Sequence, residues 1–167
     1  DSFRTSEFGG FVTSIFKDKN GDVYFGLEGE FGKLEIDSLG RNTYVNLSEK
    51  LDIDDSFFST VWKIFEYDGN VVFFTEESIF LFKDDKCKVI KPKTSFHLAF
   101  CVDNELFVRQ RDIGLMKFEN NKFNLVQGGE TFKDYGVFGI FPTGRPKKYL
   151  IITQELGAFY LDLINKE

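Results

Sequence analysis

Short runs of Val, Ile, Leu, Phe and Tyr recur along the chain, broken by polar pairs, and no 11-residue window carries the apolar stripe of an amphipathic helix. Val23-Tyr24-Phe25, Val71-Val72-Phe73-Phe74, Leu106-Phe107-Val108 and Tyr149-Leu150-Ile151-Ile152 read as strands. Between the runs stand Asn20-Gly21, Asp68-Gly69 and Asp103-Asn104, residue types that accept the positive φ of a tight hairpin. The runs near 71–74 and 150–152 are almost continuously apolar and are expected to be covered on both faces. Segments such as Cys87-Lys88-Val89-Ile90 and Phe123-Asn124-Leu125-Val126 alternate, which suits an outer edge half in water. Helical turns are expected only in the longer loops, such as 51–57.

Laid against itself, the chain repeats. Gly32, Ser78, Gly114 and Gly157 occupy matching places, at steps of 46, 36 and 43 residues, near the blade repeat of about 40 to 50 residues. Each unit offers three strands, then a polar turn (37–42, 83–86, 119–122) and a fourth segment (Tyr44–Leu47, Cys87–Ile90, Phe123–Val126). Four antiparallel strands per repeat is the content of a propeller blade. The predicted fold is therefore all-β: a β-propeller fragment of about four four-stranded blades, at 11–47, 61–90, 96–126 and 137–163, in one partial domain over 1–167. The fourth unit stops after its third strand, and Ser2-Phe3-Arg4-Thr5 in residues 1–10 reads as an outer strand of a preceding blade or of the closing one. A cut from a longer propeller is favoured over a small ring closed by that strand.

Composition agrees with strands: aromatics are 17% of 167 residues and Phe alone numbers 22. A net charge of −6, from 27 acidic against 21 basic residues, gives no footprint for nucleic acid or an anionic membrane. The one basic run, 83–93, also holds Asp84 and Asp85 and reads as a solvated outer strand. Cys87 and Cys101 are too few for a disulfide framework and are expected to be free, buried thiols, with a bridge between them as the lesser reading. No apolar run is long enough to cross a bilayer and the first residues lack a signal pattern, so the chain reads as an excised domain.

Catalytic constellations are scarce. His97, the single histidine, sits between Phe96 and Leu98 and reads as structural. Serine-hydrolase, phosphate-loop, zinc-protease and dinucleotide motifs find no suitable context, so neither catalytic residues, a metal nor a cofactor is expected. Asp52, Asp54 and Asp55 cluster before the second unit but do not follow a calcium-loop spacing. Asn46-Leu47-Ser48 matches the N-glycosylation pattern and reads as coincidence. Binding is the better expectation, because propellers place many loops on a rigid scaffold. The turn between second and third strands brings Glu28, Glu30, Glu76, Glu77, Gln110, Arg111, Asp112, Gln154 and Glu155 to equivalent places along one rim. Trp62 is expected between blades, with a sugar-stacking role if it is exposed.

The repeat resembles the two-component-regulator propeller repeat. The resemblance is carried by residues 21–36, by Val61-Trp62-Lys63-Ile64, by Gly114-Leu115 and by Gly157 to Tyr160, with Gly32–Leu47 and Thr94–Gly129 similar to sensor propellers of the triple-tyrosine-motif regulators common in Bacteroidetes. Glu76-Glu77-Ser78-Ile79 lacks the family's Gly, and the fourth repeat has a Pro142 to Pro146 loop in place of a tight turn. The resemblance implies about seven blades in the whole propeller, a periplasmic location, a non-catalytic sensing role and a histidine kinase or DNA-binding output elsewhere. It implies as partners a carbohydrate or other small nutrient-derived ligand and the remaining blades and downstream domains, while a second copy of the chain is expected because a truncated propeller exposes Phe-rich blade faces. A carbohydrate-active propeller fragment of glycosidase or lyase type and a self-contained four-bladed binding protein stand as the competing readings.

Overall fold

A computed structural model describes residues 10–164 of the chain. The expected strand at Ser2–Thr5 lies outside the described residues. Contacts group the chain into two compact units, Asp1–Lys91 and Pro92–Glu167.

The first unit holds two four-stranded antiparallel meanders. One is β1 (Ser14–Lys17), β2 (Val23–Gly26), β3 (Phe31–Ile36) and β4 (Asn42–Asn46); the other is β5 (Lys63–Tyr67), β6 (Asn70–Phe74), β7 (Ile79–Lys83) and β8 (Lys86–Ile90). The second unit holds a four-stranded meander, β9 (Phe96–Val102), β10 (Glu105–Gln110), β11 (Gly114–Glu119) and β12 (Lys122–Leu125), and a three-stranded one, β13 (Val137–Pro142), β14 (Lys148–Thr153) and β15 (Ala158–Asp162). Three 3-10 turns, Ser48–Lys50, Ile53–Asp55 and Gly129–Phe132, are the helical content among the described residues.

The hairpins form where the sequence carries residues tolerant of the left-handed region. Asp68 and Gly69 (φ 49° and 70°), Asp84 and Asp85 (48° and 60°), Asp103 and Asn104 (51° and 57°) and Asn120 and Asn121 (53° and 64°) form successive left-handed pairs. Two such residues in a row match the right-handed twist of the strands they join. Of the strands expected to be covered on both faces, β6 is buried from Val71 through Phe74. β14 instead alternates, Tyr149, Ile151 and Thr153 being buried while Leu150 and Ile152 are half-exposed.

In the first unit the sheets meet through aromatic rings. Phe31 of β3 stacks on Phe73 of β6 with centroids 4.1 Å apart, and Leu47, Val61 and Phe80 complete a buried cluster. The seam beside β1 is polar: Thr13 Oγ1 and Ser14 Oγ both donate to the Val61 carbonyl, at 2.9 and 2.6 Å. Gly26 is required there, since a Cβ would stand 2.5 Å from Val61 Cγ1. In the second unit Phe107, Leu115, Val137 and Tyr149 form the core, with the rings of Phe107 and Tyr149 edge to face at 5.3 Å. Cys87 and Cys101 are not disulfide-bonded, and burial, then the nearby Asp55, pushes the Cys87 thiol up to about 12.

Candidate functional site

The turns between second and third strands were the sequence's candidate rim, and each unit ties its own pair together. In the first unit Gly29 N donates to Ser59 O at 2.8 Å, and Ser59 N donates to Glu77 Oε2 at 3.3 Å. Glu28 bridges to Thr60, and Val61 N donates to Leu27 O at 3.0 Å. The turns carrying Glu28 and Glu77 thus converge on the chain entering β5. Glu76 is half-buried and Glu77 exposed. Partial burial pushes the Glu77 carboxyl up, but hydrogen bonds from Ser59 and the Thr75 hydroxyl outweigh it and hold the group below its ordinary value.

Glu30 points away from solvent: its Oε2 accepts from Asn46 Nδ2 at 3.3 Å. Burial first, and then the Glu30 charge, push the neighbouring Tyr44 hydroxyl well above its ordinary value. Asn46 Oδ1 accepts from the Ser48 N–H and hydroxyl at 2.9 and 2.6 Å, so the amide of the glycosylation-like triplet is engaged in its own turn.

In the second unit Arg111 N donates to Ser95 O at 2.8 Å, Asp112 N to Lys133 O at 3.3 Å and Gln154 N to Gly136 O at 3.3 Å. Asp112, Gln154 and Glu155 are exposed and Arg111 is half-buried. Gln110 departs from the expectation: it is the last residue of β10, a strand buried along its whole length, and is only 3% exposed. The sequence also passed over Arg109. Its guanidinium, 5% exposed, donates from Nε to Phe132 O at 3.0 Å and from Nη2 to Lys133 O, clamping the loop after the 3-10 turn onto the rim.

Trp62 does not pack between blades as expected; it is 51% exposed, directly before β5. That exposure leaves an indole face available for a sugar ring. His97 lies edge-on to Phe138 with centroids 5.1 Å apart, in accord with a structural role. Asp55 pairs with Lys91 at 2.7 Å.

A second feature lies at the turns joining first to second strands, which the sequence reading had left aside. A cavity of about 310 Å³ in the first unit is lined by Asp22, Tyr24, Lys33, Glu66, Gly69 and Val71, among others. Lys19 crosses to Glu66 at 2.8 Å, and Lys33 pairs with Glu35 at 2.7 Å, which raises the Lys33 ammonium above its ordinary value.

Consecutive antiparallel meanders of this kind define blade-type sheets, and the fold class is all-β, that of a β-propeller fragment. The chain is similar to the extracellular domain of the hybrid two component system BT4673 from B. thetaiotaomicron, with TM-score 0.66 and 14% identity over 95% of this chain and 23% of that one. It is similar to the extracellular domain of BT3049 from the same organism, with TM-score 0.59 and 21% identity over 91% and 20%. A virginiamycin B lyase from Staphylococcus aureus aligns with TM-score 0.53 and 14% identity over 91% and 55%. The chain thus spans about a fifth of the length of the two extracellular domains and just over half of the lyase. No protein-family model matches the sequence, and no curated protein does.

Proposed function

We propose that this chain is part of the extracytoplasmic, periplasmic sensor propeller of a two-component signalling regulator, a non-catalytic module that binds a carbohydrate or another small nutrient-derived ligand at its second-to-third-strand turns. The observation that carries the reading is the convergence of the turns bearing exposed Glu77 and Glu28 on Ser59-Thr60, and of those bearing Asp112 and Gln154 on the Lys133–Gly136 loop, which holds polar side chains on pinned turns. The fold likeness to extracellular domains of hybrid two component systems supports the cellular setting. Kinase or DNA-binding output, the remaining blades and the downstream domains are then the partners in the same polypeptide. Carboxylates that accept and amides that donate and accept hydrogen bonds, with Trp62 as a stacking face, suit sugar hydroxyls.

The test is a thermal-shift and calorimetric screen of mono- and oligosaccharides against the chain and its Glu77→Ala, Gln154→Ala and Trp62→Ala variants. Saturable binding weakened by these substitutions is expected. Binding unaffected by all three, or no binding across the panel, refutes the rim as a sugar site. The likeness to the lyase supports an enzymatic reading, which predicts turnover; incubation of virginiamycin B and of glycan substrates with the chain, followed by mass spectrometry, separates the two.

A further inference from the structure

The two units permit a position-by-position comparison. Thr75 N donates to Ser78 O at 3.0 Å and Thr153 N donates to Gly157 O at 2.9 Å, so these threonines close equivalent turns. Counting back along the strand, Val71 stands where Tyr149 does, and Gly69 (φ 70°) stands where Lys147 (φ 58°) does, both in the left-handed region. In the preceding sheets Leu47 N donates to Phe31 O and Val126 N to Leu115 O, at 2.9 and 3.0 Å. With Tyr24 opposite Lys33 and Phe107 opposite Lys117, Asp22 therefore corresponds to Glu105 and Lys33 to Lys117.

In the second unit the notch between these residues is filled from within. Glu105, 8% exposed, takes the ammonium groups of both Lys117 and Lys147, and the Tyr149 ring packs on Phe107 at the base. In the first unit the carboxylate (Asp22) and one of the two lysines (Lys33) are retained. Gly69 and Val71, however, supply neither the second ammonium nor the ring, and the cavity of about 310 Å³ opens there. Within its lining Asp85 pairs with Lys50, Glu66 with Lys19, and Asp18 accepts from the Asn20 and Asp22 N–H groups. The Asp22 carboxylate takes no ion pair among the described residues. Carboxylates of Asp18, Asp22, Glu66, Asp84 and Asp85 outnumber the ammonium groups of Lys19, Lys33 and Lys83. Lys83 is exposed at the mouth, its Nζ 3.4 Å from where a Gly69 Cβ would stand, and is the side chain an incoming ammonium has to displace.

We propose that the first-unit notch is a binding site for a small organic ammonium ion with a compact apolar body, the ammonium resting on Asp22 where Lys147 rests on Glu105, and the body lying over Val71 and Tyr24 where the Tyr149 ring lies. Glu105, buried in the second unit, is closed over by charged donors, whereas Asp22, exposed in the first, keeps its carboxylate open to one from solution. The site is distinct from the rim proposed for sugars, so each stands or falls alone.

The probe is phenethylamine, with phenethyl alcohol as its uncharged counterpart, titrated into the ¹⁵N-labelled chain and followed by amide chemical shifts. Saturable shifts are expected at Tyr24, Lys33, Gly69 and Val71 with the amine, and binding about tenfold weaker with the alcohol or in Asp22→Asn, the loss of one charge-assisted contact. The Gly69→Lys, Val71→Tyr double variant fills the notch from within and is expected to abolish the shifts. Equal binding of the alcohol, shifts scattered over surface carboxylates, or undiminished binding in Asp22→Asn overturns the proposal. Should the double variant fail to fold, Asp22→Asn decides by itself, since that side chain is exposed and carries no core packing.

Discussion

Arg109 was not legible as a functional anchor because an arginine in a strand otherwise reads as a solvated side chain. Its two donors satisfy carbonyls that would otherwise be closed off beneath the Gly129–Phe132 turn. Removing them in Arg109→Ala is expected to cost about 2–4 kcal/mol in urea unfolding, because a charged donor is lost and buried acceptors are left bare. Arg109→Lys should recover only part, since one ammonium cannot fork to two carbonyls. Gln110 and Trp62 were misplaced for related reasons: the cover over β10 through its last residue and the entry of the chain into β5 decide their exposure, and neither leaves a mark in the local sequence. The rim carboxylates were legible because they sit on turns whose chemistry is local. Glu77 titrates below its ordinary value when folded, so its contribution to stability is present above the unfolded carboxyl value and is lost as pH falls through the folded one. Glu77→Gln should therefore flatten the acid side of the stability-versus-pH curve, measured by denaturant midpoints from pH 7 downward, while leaving its neutral-to-alkaline side parallel to the parent.

At the scale of strands and sheets the sequence was a good guide. The hairpin pairs Asp68-Gly69 and Asp103-Asn104 take up left-handed backbone, so β5–β6 and β9–β10 were readable from the pair and its apolar flanks. The turn after β3 is longer and looser, and there Asp37 closes the loop by accepting from the Leu39 and Arg41 N–H groups. What the period could not convey is which side chains meet between sheets. Phe31, fully buried, stacks on Phe73 and tilts against Phe58 and Phe80. Phe31→Ala is expected to cost about 3–5 kcal/mol through the cavity it leaves, seen as a lower denaturant midpoint by tryptophan fluorescence, Trp62 being the single reporter and situated in the same unit. The open notch at Gly69 and Val71 was invisible to the sequence for a different reason: it is defined by what those residues lack relative to Lys147 and Tyr149, and only a register shared by two sheets makes the comparison meaningful.

For the molecule as a whole, the consequence lies in what is left uncovered. β15 has a partner on one side only among the described residues, and Tyr160 on it is 83% exposed, alongside exposed Phe11, Phe57, Phe138 and Phe141 elsewhere. An unpaired strand edge bearing an aromatic is a template for pairing with another strand. Light scattering over a wide concentration range should show self-association of the chain, and Tyr160→Lys should reduce it; a monomer at every concentration contradicts this. The Thr75 hydroxyl donates to Ser78 O and accepts from the Glu77 and Ser78 N–H groups, and the Thr153 hydroxyl does the same around a turn one residue longer, with Gly157 O and Leu156 N–H. One threonine at a strand's end therefore accommodates two lengths of turn without altering the register behind it. Residues can be added to that turn while the hydrophobic interior is inherited unchanged.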